Sequence, residues 1–120
     1  MRIRISIEGV PATATLEDNE PAREFASLLP LSLTLIDYAS TEKIADLPRR
    51  LSTKGAPATG TAGAAGEIAY FPPWGNLAVF YRDFHYTDGL VRLGKLDSGV
   101  EALSGKGAVK VRIERIETAP

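Results

Sequence analysis

The chain has 120 residues, 44% of them hydrophobic and 24% charged, with 14 Lys and Arg against 15 Asp and Glu for a formal charge of −1. That is the size and composition of one globular domain able to bury its own core, and the near-balance of charge leaves no basic face with which to displace counterions from a nucleic acid. With no cysteine and a single histidine, disulfides, thiol catalysis and sites built on several thiolates or imidazoles are excluded.

From Met1 to Glu8 the residues alternate, with Ile3, Ile5 and Ile7 on one side and Arg2, Arg4, Ser6 and Glu8 on the other. A period of two belongs to a strand with one buried face. The segment lacks the apolar run of a signal peptide or membrane span, so the expected location is cytoplasmic, without membrane contact. Gly9 permits a tight turn, and Ala12, Ala14 and Leu16 then alternate with Thr13 and Thr15 as the second arm of a hairpin.

Asp18-Asn19-Glu20-Pro21 carries a helix start: Asn19 or Asp18 can cap the free N–H groups, and Pro21 suits the first turn. Ala22, Phe25, Ala26, Leu28 and Leu29 follow at helical spacing, which predicts one short helix near residues 20–29, ended by Pro30. Leu31, Leu33 and Leu35 alternate with Ser32 and Thr34 and return the chain to a strand, and a further short strand is expected over 42–47.

Residues 55–66 comprise four Gly, five Ala, two Thr and one Pro. Such a stretch has little to bury against a high ordering cost, so it reads as a flexible loop inside a single domain spanning 1–120. Beyond it, Glu67 to Phe71 leads through a Pro72-Pro73-Trp74-Gly75 turn into Asn76 to Tyr81. Apolar residues fall on both faces of that second run, which predicts a central strand of a closed or double-layered sheet. Phe84-His85-Tyr86 reads as a loop running into the turn Tyr86-Thr87-Asp88-Gly89, followed by a strand from Leu90 to Leu96, a turn at Asp97-Ser98-Gly99 and a last strand through Val109, Val111 and Ile113 whose phase slips before Ile116. About eight strands with one early helix predict a mainly β chain closed into a barrel, an arrangement that removes exposed edges.

No nucleophile elbow or phosphate-binding loop accompanies the lone His85, and Ser98 belongs to a turn. No catalytic residue, cofactor or metal is assigned. Glu42, Asp46, Asp83, Asp88 and Asp97 lie near expected strand ends, where two carboxyls could meet or each could simply sit in a turn. The stronger lead is aromatic: Tyr70, Phe71, Trp74, Phe80, Tyr81, Phe84, His85 and Tyr86 fall within seventeen positions, in a chain with nine Phe, Tyr and Trp residues. Phe80 and Tyr81 must face opposite ways in a strand, so part of the cluster is core. The candidate ligand-binding set is Trp74, Phe71, Phe80, Phe84 and His85, with Glu42 for polarity and Arg49 or its neighbour Arg50 either to meet a carboxylate ligand or to hold a loop.

The runs Ala26-Ser27-Leu28-Leu29-Pro30-Leu31, Thr41-Glu42-Lys43-Ile44-Ala45, Leu47-Pro48, Pro73-Trp74-Gly75-Asn76-Leu77-Ala78-Val79-Phe80-Tyr81 and Leu93-Gly94-Lys95-Leu96-Asp97-Ser98-Gly99 occur in order along the chain. Together they resemble a family of small bacterial cyclophilin-like proteins of uncharacterised function, over Ile3 to Ile116. The resemblance implies a compact cyclophilin-like β-barrel. Cyclophilins proper are prolyl isomerases whose active face uses an arginine beside a Phe-His pair and glutamine-containing motifs. Here Phe84-His85 is followed by Tyr86, and the sequence has no glutamine, so no isomerase residue is carried over. The favoured reading is a binding module that holds a small molecule or peptide in an aromatic pocket. Prolyl isomerisation is the alternative from fold, and pairing of the barrel or its last strand with another chain is a third. The sequence leaves the oligomeric state open.

Overall fold

Ile3, Ile5 and Ile7 are buried along the first strand, β1 (Arg2–Ile7), and Ala12, Ala14 and Leu16 along the second, β2 (Val10–Leu16), so the alternation of both arms is kept. The computed structural model describes the backbone of residues 1–54, 61–87, 89–105 and 107–116 and, except at 61–63 and 85–87, their side chains. The remaining elements are α1 (Glu20–Ser27), β3 (Leu31–Tyr38), β4 (Glu42–Asp46), β5 (Thr61–Gly63), β6 (Glu67–Phe71), β7 (Asn76–Phe80), β8 (Phe84–Thr87), β9 (Val91–Leu96), a 3-10 turn at Val100–Leu103 and β10 (Val109–Arg115). Antiparallel pairing closes eight strands into a barrel in the order β1-β10-β3-β4-β7-β6-β9-β2, while β5 and β8 form a separate two-stranded sheet.

The helix begins as its sequence requires, with Asn19 Oδ1 accepting from Ala22 N at 2.9 Å and Pro21 in the first turn. It ends two residues before the expected limit at 29. Leu29 precedes Pro30, a position from which the helical region is disfavoured, and Leu28 and Leu29 pack on the core only in part. Pro21, Ala22, Phe25 and Ala26 are buried against the same interior as the strands, so α1 closes one end of the barrel. Fully buried Leu103 of the 3-10 turn closes the other. The loop expected at Phe84-His85-Tyr86 is instead β8. Its partner β5 comes from the Gly- and Ala-rich stretch, whose small residues carry no alternation, so neither strand announced the other. Residues 55–60 of that stretch lie outside the described residues. Among the described residues no helix is long and apolar enough to cross a membrane.

A lysine is buried inside the barrel. Lys43 has no solvent exposure, and its Nζ donates to the carbonyls of Gly105 and Gly107, lies 3.3 Å from Asp37 Oδ1 and sits 5.4 Å from the centre of the Tyr81 ring. Tyr81 Oη donates to the same Asp37 oxygen at 2.5 Å. That hydrogen bond, with support from Lys43, holds the Asp37 carboxyl below its usual range, while burial first and the Asp37 contact second push the Tyr81 hydroxyl up. Lys43 therefore ties the β4 wall to the loop before β10.

At Gly94 the β9 backbone lies close against β2. A Cβ there would lie 2.3 Å from the carbonyl oxygen of Thr15 and 2.9 Å from Leu16 Cα, both backbone atoms of β2.

Two outcomes follow for stability, measured by denaturant unfolding. Lys43→Ala strands Asp37 and two loop carbonyls and is expected to cost about 3 kcal/mol or more; a loss below about 1 kcal/mol would show that the network is dispensable. Gly94→Ala must push β2 and β9 apart and is expected to cost about 2 kcal/mol or more, against a near-neutral result if the strands can yield.

Candidate functional site

β7 is buried at every position. Successive side chains of a strand point to opposite faces, so Leu77 and Val79, with Tyr81 beyond the strand, enter the barrel core, whereas Ala78 and Phe80 belong to a second apolar cluster with Ala69 and Leu90. The same division runs through β6, where Ile68 and Tyr70 face inward and Ala69 and Phe71 outward. The second cluster thus lies on the outer surface of the β4-β7-β6 wall, and Ile44, Phe71 and Phe84 pack against it. Phe84 arrives from β8 and stacks on Phe80, with ring centres 3.7 Å apart and planes 16° from parallel.

At the edge of this cluster is a cavity of about 150 Å³. Phe80 and Ile44 supply apolar wall from β7 and β4, and Leu90 closes it from the segment after β8. Tyr38 of β3, Phe71 of β6 and Trp74 of the following turn supply rings. Tyr38 and Phe71 each meet Trp74 nearly at right angles, with centres 5.5 and 5.4 Å away, an edge-to-face geometry that aromatic rings favour. Trp74 remains 53% exposed and forms the rim. The barrel interior, by contrast, is filled by the isoleucines, leucines and valines of its core together with Tyr70, Tyr81 and Phe25.

Besides the aromatic residues, two polar side chains among the described residues line the cavity. Glu42 stands directly across from Tyr38 on one neighbouring strand and from Phe80 on the other. Burial among these groups pushes its carboxyl up to about 7, because water is no longer at hand to solvate the charged form. Asn76, only 3% exposed, lines the opposite part, and its Oδ1 is buried without a hydrogen-bond partner. A buried, unpaired amide oxygen costs about 1–3 kcal/mol relative to a paired one.

The Pro72-Pro73-Trp74-Gly75 turn is held from outside. Gly75 has φ +66°, a conformation other residues adopt with strain, and its N–H donates to Phe71 O at 2.9 Å. Arg50 packs against Gly75 and donates to Pro72 O at 2.5 Å. Its neighbour Leu51 donates from N to the buried Tyr70 hydroxyl at 3.1 Å, and Ser52 donates to Glu24 and Glu20 of α1 at 3.0 and 3.1 Å. Arg49 does not reach the cavity: its Nη2 donates to Ser27 Oγ at 2.9 Å, at the end of α1, so of the two adjacent arginines the first holds the helix and the second the aromatic turn.

The structure therefore brings together Trp74, Phe71, Phe80 and Glu42, sets Phe84 beside them through Phe80, and places Arg49 elsewhere. His85 lies in β8, and its side chain is outside the described ones. Asp88 is likewise outside the described residues. The other expected carboxylates act separately. Asp97 accepts from Thr13 and Thr15 at 2.9 and 2.8 Å and from Arg2, and Asp83 accepts from Ala65 N at 3.0 Å, while Asp46 is exposed. Among the described residues no group of three or more His, Asp or Glu side chains is gathered to hold a metal. Sequence reading missed Tyr38, Ile44, Asn76 and Leu90. The signal for Asn76 was present, as a polar residue opening a run in which both faces are apolar. Tyr38 needed the β3–β4 register, which sequence does not supply.

Comparison with known proteins agrees with this architecture. The solution structure of the hypothetical protein AF2241 from Archaeoglobus fulgidus is similar, with a TM-score of 0.64 and 19% identity over 97% of this chain and 95% of that one. The structure of McbB in complex with tryptophan is similar at a TM-score of 0.54 and 15% identity, over 98% of this chain but 46% of McbB. No curated protein matches the sequence. A family model described as the cyclophilin-like family matches residues 5–114, a span that contains the closed barrel from within β1 almost to the end of β10, and the chain belongs to that family.

Proposed function

We propose that this chain is a binding module whose ligand occupies the aromatic cavity on the outer barrel wall. The observation that carries the reading is a concave apolar site lined by the half-buried Glu42 carboxyl, which desolvation pushes up, and by Asn76, whose buried Oδ1 has no hydrogen-bond partner. A folded chain tolerates such groups most readily where a ligand completes them. Size narrows the occupant. A cavity of about 150 Å³ suits a single six-membered ring or a group of similar bulk, so the ligand is a small molecule or one side chain of a peptide. Tryptophan is bound in McbB, a protein of similar fold; at that identity the likeness supports the fold alone, and the reading for this chain stands on its own cavity.

Trp74 is the chain's single tryptophan and sits at the rim, so its emission reports occupancy. A screen of ring-sized fragments, followed by Trp74 fluorescence and backbone NMR shifts, is expected to give saturable changes confined to Trp74, Phe71, Glu42 and Asn76. Trp74→Ala is expected to weaken the best fragment at least ten-fold with a small change in thermal midpoint, since the residue is half exposed. No response to any fragment at millimolar concentration would end the proposal.

The Glu42 carboxyl also sets a pH dependence. In the unfolded chain it ionises near the ordinary 4.5, and in the folded protein near 7. Between those values the folded state holds the proton that the unfolded state has lost. Its contribution to stability is therefore full below about 4.5 and is lost as pH rises through about 7. Denaturation midpoints measured from pH 4.5 to 8 are expected to fall more steeply for the wild-type chain than for Glu42→Gln; parallel curves would show that Glu42 is solvated.

A further inference from the structure

The described lining of the cavity carries no cation. None of these residues is Lys, Arg or His, and besides the N–H and O–H donors of Asn76, Trp74 and Tyr38 the cavity offers the groups a cation would seek: the Glu42 carboxyl, the Asn76 Oδ1 and the rings of Tyr38, Phe71 and Trp74. Asp46 adds a second carboxylate at the far end of the same outward face of β4, paired across the strands with Asn76. Among the described residues no cation faces this cavity to meet a carboxylate ligand: Arg49 is engaged at Ser27 and Arg50 at Pro72. Lys43 is next to Glu42 in sequence but points through the wall to the barrel interior, where Asp37 and the loop carbonyls satisfy it.

We infer that the cavity is selective for small organic ammonium groups, held against the Tyr38, Phe71 and Trp74 rings with Glu42 as counter-ion and Asn76 Oδ1 as acceptor. This deepens the binding reading above and rests on it. Ring faces carry negative charge density and attract a cation, more strongly when both are shielded from water. A carboxylate beside them completes the neutralisation, and an amide oxygen accepts from an N–H or from the polarised C–H groups flanking a quaternary nitrogen. A methylated ammonium has the bulk the cavity admits.

The inference carries a proton balance. In the empty site burial keeps the Glu42 carboxyl protonated up to about 7. An arriving cation favours the ionised form, so Glu42 gives up its proton to solvent as the ammonium enters, with no bond to carbon or nitrogen made or broken. Among the described residues, the groups around Glu42 leave this exchange to it. Tyr38 and Phe80 flank it across the neighbouring strands. Asp37, Lys43 and Tyr81 interact with one another on the other side of the wall, and Arg82 lies over the outer part of the Tyr81 ring at 5.9 Å.

The test compares choline with 3,3-dimethylbutan-1-ol, a neutral molecule of the same shape with carbon in place of the quaternary nitrogen. Calorimetry of the full chain, in buffers of different ionisation heat, is expected to show choline binding at least ten-fold tighter than the alcohol at pH 8. It is also expected to show choline affinity rising about ten-fold from pH 6 to pH 8 and close to one proton released per choline at pH 6. Glu42→Gln should remove the proton release and weaken choline about ten-fold while leaving the alcohol unchanged. Equal binding of the two molecules, or binding of neutral or anionic fragments alone, overturns the inference and leaves the pocket standing. Absence of any fragment response at Trp74 overturns both.

Discussion

The organising constraint is the burial of β7 on both of its faces. A strand with one wet face has one set of partners, whereas β7 must find two, and it does so by serving as wall to the barrel core on one side and as floor to the outer aromatic cluster on the other. The barrel accounts for the first set. The second set explains why β8 and Leu90 fold back over the outside of the wall, because Phe80 and Ala78 would otherwise stand in water. Burying a side chain of the size of Phe80 contributes about 1.5–3 kcal/mol when it is fully removed from solvent. The cavity lies where this covering stops short, between the stacked Phe80–Phe84 pair and the Trp74 turn.

Most of the barrel could be read from the chain because its physical cause is local. The isoleucines of β1, the small and apolar residues of β2 and the valines of β10 repeat with period two, and Asn19 with Pro21 fixes the helix start. The Phe80–Tyr81 divergence followed from strand geometry alone. Local patterns give no register, however, and the missed wall residues are those that only register reveals. Tyr38 enters the cavity because it pairs with Glu42 across β3 and β4. The β5–β8 sheet escaped because three small residues of β5 have no pattern of their own. Arg49 was a natural candidate for a ligand carboxylate, yet two adjacent arginines after a proline go to different partners, and nothing in their spacing says which goes where.

Lys43 and Glu42 show how sharply one position can separate two environments. They are neighbours on β4, and the pleat sends the lysine into the barrel and the glutamate to the outer wall. The lysine meets carbonyls, a carboxylate and a ring, and is fully satisfied. The glutamate meets rings and hydrocarbon and keeps its proton up to about 7. Had the register slipped by one residue the two would exchange faces, placing a bare carboxyl in the barrel and an ammonium in the aromatic cavity. The polar character of the site is therefore set by strand pairing as much as by residue identity.

The hydrogen bonds that secure the Trp74 turn reach well beyond the cavity. Trp74 sits on a turn clamped by Arg50, the following residues Leu51 and Ser52 are fastened to the Tyr70 hydroxyl and to Glu24 and Glu20, and those glutamates belong to the helix that plugs the barrel. The rim of the cavity is thus braced twice, by the hydrogen bonds of its own turn to Phe71 O and, through residues 50–52, by a helix that does not line the cavity. Affinity depends on how much motion a ligand must still arrest when it arrives. For the proposed ligand that motion would depend in part on Glu24 and Glu20, two carboxylates outside the cavity lining that anchor the segment after Arg50.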